Sequence, residues 1–494
     1  MRSIPKNPLA LLLILAGVKL LIHLLTNGQY GFHRDELYYI VGGFHPDFGY
    51  VDHPPLTPLL ARLAVELFGP SVAGLRLFPA LVGASIVLLT GILTRQLGGD
   101  RFAQGLAALC VILSPLYLLT NTLFQTVTFD QLVWVLSTVL VMHLVKTGNH
   151  NTWLAIGFVI GIGLQIKHTA LLFGFGLVIA LLLTAQRKQF ASTWPWLGGL
   201  VALLIFLPNL IWQSVNDWPT LEFIRNNNAN VQSASSRIEF LALQIIFLGI
   251  PAFPIAVAGL LRLFRSRSEA MRLLGWLYLS IMLLLLVVGG KPYYPAPLYP
   301  ILYASGAIVV TEQLRQRKWN RLRPVLIGAL LAITLPFVPL VLPVLPPPTF
   351  AAYQAYYPQN DFAEMFGWEE LVEAVQGVYA QLPPDEQDKS TILTSNYGSA
   401  AAIDLLGASR GLPNAHSGHN TYYFWGPGDA PVEAIIAVGF QRTDLEGNCA
   451  EVQEAAVVSN RFSIDNEEAG RPIYLCQQPN VTLQEIWPQL KHFQ

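Results

Sequence analysis

The sequence predicts a polytopic α-helical membrane protein with about 11 transmembrane helices, followed by a C-terminal soluble α/β domain. Hydrophobic residues make up 53% of the 494 residues and charged residues only 12%, whereas roughly 25% of the residues in a soluble domain are charged. Residues 1–349 contain 24 Lys and Arg against 12 Asp and Glu, and residues 350–494 contain 6 against 19. A basic membrane part therefore precedes an acidic soluble part. The basic residues form no separate domain, so the sequence does not suggest a nucleic-acid partner.

The membrane part contains eleven apolar runs of about 17 or more residues, the length that crosses the hydrocarbon core. The first run follows Arg2 and Lys6, as in a signal peptide, but no small-residue cleavage site follows it and many spans do, which predicts a retained anchor. The eleven runs lie near 8–26, 71–94, 102–120, 128–146, 152–168, 169–186, 193–213, 239–262, 271–289, 293–313 and 323–345.

Basic residues near the ends of these runs predict the orientation. With the N-terminus in the cytoplasm, sixteen Lys and Arg lie on the cytoplasmic side and seven on the opposite side. Because Lys and Arg collect in cytoplasmic loops, this bias favours an odd number of spans with the C-terminal domain outside. It also places the first loop, residues 27–70, on the outer face.

The first outer loop has no uniform apolar run, but two mixed segments have apolar and aromatic residues at helical spacing. These segments, Glu36–Phe44 and Leu56–Phe68, are typical of helices that lie in the membrane interface. The predicted transmembrane domain with its interfacial helices thus covers residues 1–349.

The extracytoplasmic domain, residues 350–494, follows a proline-rich turn and reads as mixed α/β. Its two cysteines, Cys449 and Cys476, can form a disulfide in an oxidising compartment, and the sequence leaves this pairing open. The pattern predicts helices over 368–382 and 398–406 and strands over 391–394, 434–438 and 472–476.

Titratable residues are concentrated in the first outer loop, in the stretches His33-Arg-Asp-Glu36 and Tyr50-Val-Asp-His53. A loop that leaves a membrane helix is polar in any case, and acidic residues suit the first turn of a helix. The density of carboxylates and imidazoles also suits a catalytic site, and the local pattern alone leaves both interpretations open.

Further ionisable residues lie at the outer ends of apolar runs. Placing a charge there costs free energy, so such residues indicate a functional site. Asp130 begins the fourth run, although an acid at a helix start has the same appearance. Lys291 precedes Tyr293 and Tyr294, which also suits an interfacial anchor belt. Lys167 and His168 end the fifth run.

Together these motifs resemble the dolichyl-phosphate-mannose protein mannosyltransferase type of glycosyltransferase family 39, which includes bacterial lipid A aminoarabinose transferases. The resemblance covers most of residues 30–310. It rests on five motifs in order: Asp35-Glu36-Leu-Tyr-Tyr, Tyr50-Val-Asp-His-Pro-Pro-Leu56, Asp130, Lys167 and Lys291-Pro-Tyr-Tyr-Pro. Asn396-Tyr-Gly and the segment from Gly418-His-Asn to Trp425-Gly-Pro also look like segments of bacterial members with an outer domain.

The resemblance implies a C-type glycosyltransferase core (GT-C) and a polyprenyl-phosphate sugar as donor. It implies that the family's first-loop acid corresponds to Asp35 and its second-loop acid to Asp130. His53 stands where the aminoarabinose branch has a lysine, so its charge depends on pH.

The chemistry of sugar transfer agrees with these residue types. A hydroxyl acceptor needs a carboxylate to accept its proton, for which we choose Asp35, with Glu36, Asp52 or Asp130 orienting the base or the acceptor. Direct displacement inverts the anomeric centre. The leaving phosphate must be neutralised by cations. A divalent metal is an additional way to neutralise it, which the sequence leaves open. The predicted donor-binding residues are Asp52, His53, Arg62, Lys167, His168, Lys291, Tyr293 and Tyr294.

The sequence therefore predicts a hexosyl- or pentosyltransferase in a bacterial inner membrane, which acts on a protein, lipid or polysaccharide acceptor at the outer face. The alternative is a transporter or flippase that moves a lipid-linked sugar without covalent chemistry. Transporters usually place their binding groups near the bilayer midplane, whereas the titratable groups here gather at one face. An inactive scaffold that binds a partner is a third class.

Overall fold

The computed structural model describes residues 8–231, 237–354, 361–429 and 431–494, so Arg2 and Lys6 lie outside the described residues. The chain forms two compact units. The membrane unit comprises Met1–Asn27, Arg76–Ser214 and Asn228–Leu342. The loop–sheet unit comprises Gly28–Leu75, Val215–Asn227 and Pro343–Gln494. The first outer loop thus forms one compact unit with the C-terminal segment, although the two are far apart in sequence.

Helices form the membrane unit, and the apolar runs of the sequence fall on them. Short 3₁₀ helices lie at Ala185–Ala191, Ala296–Leu298, Asn320–Leu322 and Leu335–Phe337. The α-helices that lie wholly or mostly in this unit are Pro8–Thr26, Val72–Gln96, Arg101–Leu113, Pro115–Thr120, Thr126–Thr147, Thr152–Leu164, Ala170–Leu182, Trp194–Val215, Arg237–Leu248, Phe253–Arg265, Glu269–Val288, Tyr299–Gln316, Arg323–Thr334 and Val338–Val341.

Six helices among the described residues are long and apolar enough to cross a bilayer, or up to eight if each of two bent pairs is one span. Three of the eleven predicted runs are not among these. The run near 102–120 is divided at Ser114, because Pro115 begins a new helix. The run near 152–168 forms a helix of 13 residues. In the run near 293–313 the α-helix begins only at Tyr299, after a proline-rich turn.

Both helices predicted in the first outer loop are present, as Arg34–Phe44 and Leu56–Phe68. Their position in the membrane interface stays a prediction. Contacts within the loop–sheet unit tie the loop to the C-terminal segment. The Tyr30 hydroxyl donates to the Leu345 carbonyl at 2.7 Å. Gly31 allows a close approach, since a Cβ there would lie 2.6 Å from the carbonyl oxygen of Met365.

The C-terminal segment contains a five-stranded mixed sheet among its described residues. The strands are β1 (Ser390–Thr394), β2 (Ala415–Ser417), β3 (Ala434–Val438), β4 (Cys449–Val457) and β5 (Pro472–Pro479), in the order β2-β1-β3-β5-β4. Strand β1 pairs in parallel with β2 and β3, whereas β5 pairs antiparallel with β3 and β4. The three strands that the sequence predicted are confirmed as β1, β3 and β5.

The loop–sheet unit also contains helices outside the sheet. Both predicted C-terminal helices are present, the second continuing from an α-helix into the π-helix Ile403–Gly407. Short 3₁₀ helices lie at Asp361–Met365 and Ala408–Arg410. The other α-helices of this unit, besides the two in the first loop, are Pro219–Val231, Pro347–Gln354, Trp368–Tyr379, Pro384–Gln387, Tyr397–Ala402, Tyr422–Trp425, Arg442–Leu445 and Leu483–Leu490.

A disulfide joins Cys449 at the start of β4 to Cys476 on β5, with the two Cα atoms 5.6 Å apart. Both cysteines belong to a buried cluster that also includes Leu393, Ile435 and Trp487. The bond therefore fastens the edge strand β4 to the core of the sheet. The remaining cysteine, Cys110, is buried in the membrane unit as a free thiol.

We predict that the denatured, unreduced protein has one thiol that reacts with a maleimide and the reduced protein three, measured by mass spectrometry. Replacing both Cys449 and Cys476 by serine should lower stability by about 3 to 4 kcal/mol, because the bond closes a loop of 27 residues. A Cys110→Ser variant is the control and should keep the thermal midpoint of the loop–sheet unit. Three reactive thiols without reductant would contradict the bond.

Candidate active site

The first-loop helix holds Asp35 in its first turn, where a capping box fixes the helix start. The backbone N–H of His33 donates to Glu36 Oε2 at 2.8 Å, and the backbone N–H of Asp35 donates to His33 Nδ1 at 3.1 Å. Such reciprocal contacts satisfy N–H groups that have no partner within the helix. Glu36 is fully buried by this arrangement, so it supports the helix end that presents Asp35.

The Asp35 carboxylate accepts a hydrogen bond of 2.9 Å from the hydroxyl of Tyr397. Tyr397 begins the helix Tyr397–Ala402, which follows β1 and is capped by Asn396. The guanidinium of Arg34 lies 5.5 Å from the centre of the Tyr397 ring and also pairs with Glu467. A residue of the C-terminal segment therefore contacts the first-loop acid directly.

These neighbours set the charge of Asp35. Burial alone would raise the pKa of the Asp35 carboxyl, but the nearby His33 and Arg34 and the hydrogen bond from Tyr397 lower that pKa below its ordinary value. The carboxyl is partly exposed, with 27% of its side-chain surface accessible. Asp35 is therefore ionised at neutral pH and accessible to a reactant.

Asp52 is the second carboxylate of the loop–sheet unit. The Tyr38 hydroxyl donates to Asp52 Oδ1 at 3.0 Å, lies 2.7 Å from Thr421 Oγ1 and accepts the N–H of Thr421 at 3.2 Å. Burial raises the pKa of Asp52 above its ordinary value, although His53 and the Tyr38 hydrogen bond act in the opposite direction. Asp35 and Asp52 thus differ in the direction of their pKa shifts.

His53 is buried against aromatic rings. Its ring centre lies 4.8 Å from that of Tyr50, 5.0 Å from that of Tyr39 and 5.5 Å from that of Tyr38. Nδ1 lies 3.1 Å from the Pro54 carbonyl oxygen, and Nε2 lies 3.8 Å from Asp52 Oδ1 with no hydrogen-bond partner among the described residues. When protonated, this imidazole can therefore form an ion pair with Asp52.

The aromatic cluster continues into the C-terminal segment. Tyr38 packs at 4.6 Å from Tyr397 and at 6.3 Å from Tyr422, measured between ring centres. Trp425 stacks on His45 at 4.5 Å. The hydroxyl of Tyr422 donates to Asp404 at 2.7 Å. Tyr397 and Tyr38 of this aromatic cluster thus donate to the carboxylates of Asp35 and Asp52.

The membrane unit contains a separate polar cluster at Asp130, in the second turn of the helix Thr126–Thr147. Asp130 is 3% exposed, and its two carboxylate oxygens accept from Trp134 Nε1 at 2.9 Å and from Thr169 Oγ1 at 2.8 Å. Lys167 lies close enough to attract this carboxylate. A buried carboxylate with two donors and a nearby cation is held in one orientation.

Lys167 also faces two of the predicted tyrosines. Its ammonium lies 5.4 Å from the ring centres of both Tyr293 and Tyr294, within the range of a cation–π contact. His168 instead turns to Asn209, with 3.0 Å between Nε2 and Oδ1. Lys291 lies in the turn before these tyrosines and is partly exposed. Lys167, Tyr293, Tyr294 and Asp130 are thus gathered in the membrane unit.

Arg62 is a predicted donor-binding residue of the loop–sheet unit. Its side chain is partly exposed on the helix Leu56–Phe68 and pairs with Glu66 one turn away at 2.7 Å. Concerning the possible metal, no group of three or more His, Cys, Asp or Glu side chains within the described ranges is placed to hold an ion.

Three residues around Asp35 and Asp52 were not among the predicted site residues: Tyr38, Tyr397 and Thr421. Tyr38 lies in the first-loop motif that the sequence singled out, but nothing local indicates that its hydroxyl faces Asp52. Tyr397 and Thr421 lie in segments that resemble bacterial family members, and this likeness was the only signal that could have found them. Their contacts join residues more than 360 positions apart.

Comparison with known proteins gives a family match and several structural matches. Residues 52–212 match the family model described as dolichyl-phosphate-mannose-protein mannosyltransferase. This segment includes Asp52, His53, Asp130 and Lys167 but not Asp35. The predicted resemblance is therefore confirmed over this segment, and with it the enzyme class, a glycosyltransferase. No match was found among curated proteins.

The structural matches confirm the predicted fold, that of a GT-C membrane protein. ArnT from Cupriavidus metallidurans bound to undecaprenyl phosphate matches with a TM-score of 0.64 at 15% identity, over 94% of this chain and 97% of ArnT. Its apo state gives 0.65 at 14% over the same shares. The Archaeoglobus fulgidus oligosaccharyltransferase in complex with Zn and sulfate gives 0.53 at 13%, over 87% of this chain and 68% of that one.

We predict that Asp404 makes stability depend on pH. Burial raises the pKa of Asp404 to about 6, opposed by hydrogen bonds from Ala415 N–H and Tyr422. Because this folded-state pKa exceeds the ordinary value, the folded state binds the proton more tightly, so the contribution is present at low pH and is lost as pH rises through 6. Between pH 7 and pH 5 wild type should gain about 1 kcal/mol from this group.

Thermal unfolding of the detergent-purified protein at pH 5, 6 and 7 measures this effect, and the Asp404→Asn variant should lack the gain. Asp385→Asn, on the short helix Pro384–Gln387, is the control and should retain it. The same pH dependence in wild type and Asp404→Asn would contradict the assignment.

Proposed function

We propose that this protein transfers a sugar from a polyprenyl-phosphate donor to a hydroxyl acceptor, with Asp35 as the general base. The observation that carries the proposal is the Asp35 carboxylate, which is ionised, partly exposed and fixed by the Tyr397 hydroxyl. The fold that this chain shares with ArnT, whose structure holds undecaprenyl phosphate, supports the choice of donor.

In the proposed reaction, the acceptor oxygen attacks the anomeric carbon while the bond from that carbon to the phosphate oxygen breaks. The acceptor proton passes to Asp35, and the polyprenyl phosphate leaves with the electron pair of the broken bond. One displacement inverts the anomeric centre. A positioned carboxylate is a suitable base because it accepts the proton as the hydroxyl oxygen becomes bonded to carbon.

Asp52 has the proposed role of orienting the acceptor or the donor sugar. Burial raises its pKa, and its carboxylate already accepts from the Tyr38 hydroxyl, which makes it a suitable partner for a sugar hydroxyl. His53, whose Nε2 faces Asp52, would carry a positive charge when protonated. Glu36 supports Asp35 through the helix cap.

In the membrane unit, Asp130, Lys167, Tyr293 and Tyr294 have the proposed role of binding the sugar phosphate. Lys167 and Lys291 supply the positive charge that a leaving phosphate requires. His168 would act through Asn209, which it contacts. Arg62, partly exposed and paired with Glu66, would contact the lipid-linked donor only if that ion pair opened. No step of the proposed reaction passes through a metal.

We also propose that the reaction takes place on the outer face of a bacterial inner membrane. The positive charge of the predicted cytoplasmic loops supports this orientation. The disulfide between Cys449 and Cys476 supports an oxidising environment for the C-terminal segment. The predicted domain division near residue 349 belongs to the same proposal.

We predict that Asp35→Asn lowers sugar transfer by at least about a hundredfold, since the amide cannot accept the proton. The measurement uses purified protein in lipid vesicles, a panel of radiolabelled polyprenyl-phosphate sugars and a membrane extract as acceptor. Asp47→Asn, an exposed acid of the same loop, is the matched control and should transfer like wild type.

Folded Asp35→Asn protein with wild-type transfer would reject Asp35 as base. If wild type moves labelled lipid across the vesicle membrane but leaves every sugar–phosphate bond intact, the protein is a flippase and not a transferase.

We predict that Tyr397→Phe lowers kcat/KM about tenfold, the value of a lost hydrogen bond to a charged group. Because this hydrogen bond lowers the pKa of Asp35, its removal should also move the acidic limb of the pH–rate profile to higher pH. Tyr379→Phe, at the end of the helix Trp368–Tyr379, is the control and should leave the limb unchanged. A reduced rate with an unmoved limb would show that Tyr397 does not act through Asp35.

A further inference from the structure

Two ionisable side chains are buried on one face of the first helix of the membrane unit. Lys19 and His23 are four residues apart, hence neighbours on the helix surface, and neither is exposed to solvent. The Lys19 ammonium donates to the Tyr117 carbonyl at 2.9 Å, and His23 Nδ1 lies 3.3 Å from Thr122 Oγ1. Ionisable groups inside a membrane helix are expensive, so their presence calls for a function.

Both side chains hold the short helix Pro115–Thr120 and the turn after it. The last four carbonyls of any α-helix have no partner within the helix. In this helix each of the four carbonyls accepts a hydrogen bond, and Lys19 donates to the first of them, that of Tyr117. The donors are Lys19 Nζ for the carbonyl of Tyr117, Thr122 Oγ1 for that of Leu118, the Thr122 N–H for that of Leu119 and Thr128 Oγ1 for that of Thr120.

The same short helix is joined to the start of the helix that carries Asp130. Thr128 Oγ1 binds the carbonyl of Thr120, and Gln131 Nε2 lies 3.1 Å from Thr120 Oγ1. Thr128 and Gln131 flank Asp130 in sequence. The position of Thr120 therefore determines where the first two turns of the Asp130 helix lie.

We infer that Lys19 and His23 are positioning residues for Asp130. Their hydrogen bonds fix the segment 115–122, this segment fixes Thr128 and Gln131, and these residues fix the carboxylate between them. The inference rests on the proposed function, in which Asp130 takes part in sugar transfer. Without Lys19 the Tyr117 carbonyl would lack its partner, and a shift of the short helix by about 1 Å would misplace Asp130 enough to slow the reaction.

The test begins with Lys19→Met, which keeps the length of the side chain and removes its ammonium. We expect kcat to fall about tenfold, with KM within twofold of wild type and the thermal midpoint nearly unchanged. Ser305→Ala is the matched control, because Ser305 is also buried in the membrane unit and donates to a carbonyl, that of Gly259, away from this path. It should keep wild-type kcat.

A double-mutant cycle distinguishes positioning from general damage. Thr169→Val removes one of the hydrogen bonds to Asp130 and should also lower kcat about tenfold. If Lys19 acts through the orientation of Asp130, the double variant should lose clearly less than the hundredfold product of two independent effects. Losses that multiply, or an unchanged kcat in Lys19→Met, would overturn the inference.

A second pair of variants applies if Lys19→Met does not fold. Thr128→Ser keeps the hydroxyl that binds the Thr120 carbonyl and should retain kcat, whereas Thr128→Val should lower it about tenfold. Equal kcat values for the two would overturn the inference. Failure of the proposed function looks different, since wild type would then transfer no sugar, or Asp130→Asn would transfer like wild type.

Discussion

The hydrogen bond from Tyr397 to Asp35 joins the first outer loop to the C-terminal segment at the proposed base. A carboxylate that is largely removed from water must be compensated by donors or cations, or it takes up a proton. The compensation for Asp35 comes from His33 and Arg34 of the first outer loop and from the Tyr397 hydroxyl of the C-terminal segment. The C-terminal segment is therefore a structural part of the site and not an appendage. Without it, the Asp35 carboxylate would lose the hydrogen bond from Tyr397 and keep only the compensation from His33 and Arg34.

The two acids of this unit show how one short loop can supply two different carboxylates. Asp35 lies beside Arg34 and accepts from Tyr397, so its charged form is favoured. Asp52 lies among Tyr38 and His53 and near the charge of Asp35, and burial raises its pKa above the ordinary value. Groups whose pKa values are moved apart in this way can take separate roles in one reaction. In the proposed function Asp35 therefore takes the role of base, because its carboxylate is held in the charged form, and Asp52 takes the role of a hydrogen-bonding partner.

The sequence predicted the parts of the fold that depend on local pattern. Apolar runs gave the positions of the membrane helices, and short apolar stretches gave β1, β3 and β5. The strands β2 and β4 were missed because β2 has only three residues and β4 is a largely exposed edge strand with polar side chains. Asp35, Asp52 and Asp130 could be selected by residue type, position and resemblance. Tyr397 and Thr421 could not be selected from local pattern, because no local pattern encodes a contact across more than 360 residues.

Buried polar groups of the membrane unit follow the same logic in a less polar medium. An unpaired carbonyl or ammonium there has no water to compensate it, so the polar groups need partners within the protein. Lys19, Thr122 and Thr128 together satisfy the end of one short helix, and Gln131 adds a contact from the Asp130 helix. A network in which the members satisfy each other has few alternative arrangements. Burying Lys19 in a membrane helix costs free energy, and its hydrogen bond to the Tyr117 carbonyl compensates part of that cost. In the inferred role, the same network holds Asp130 in one position.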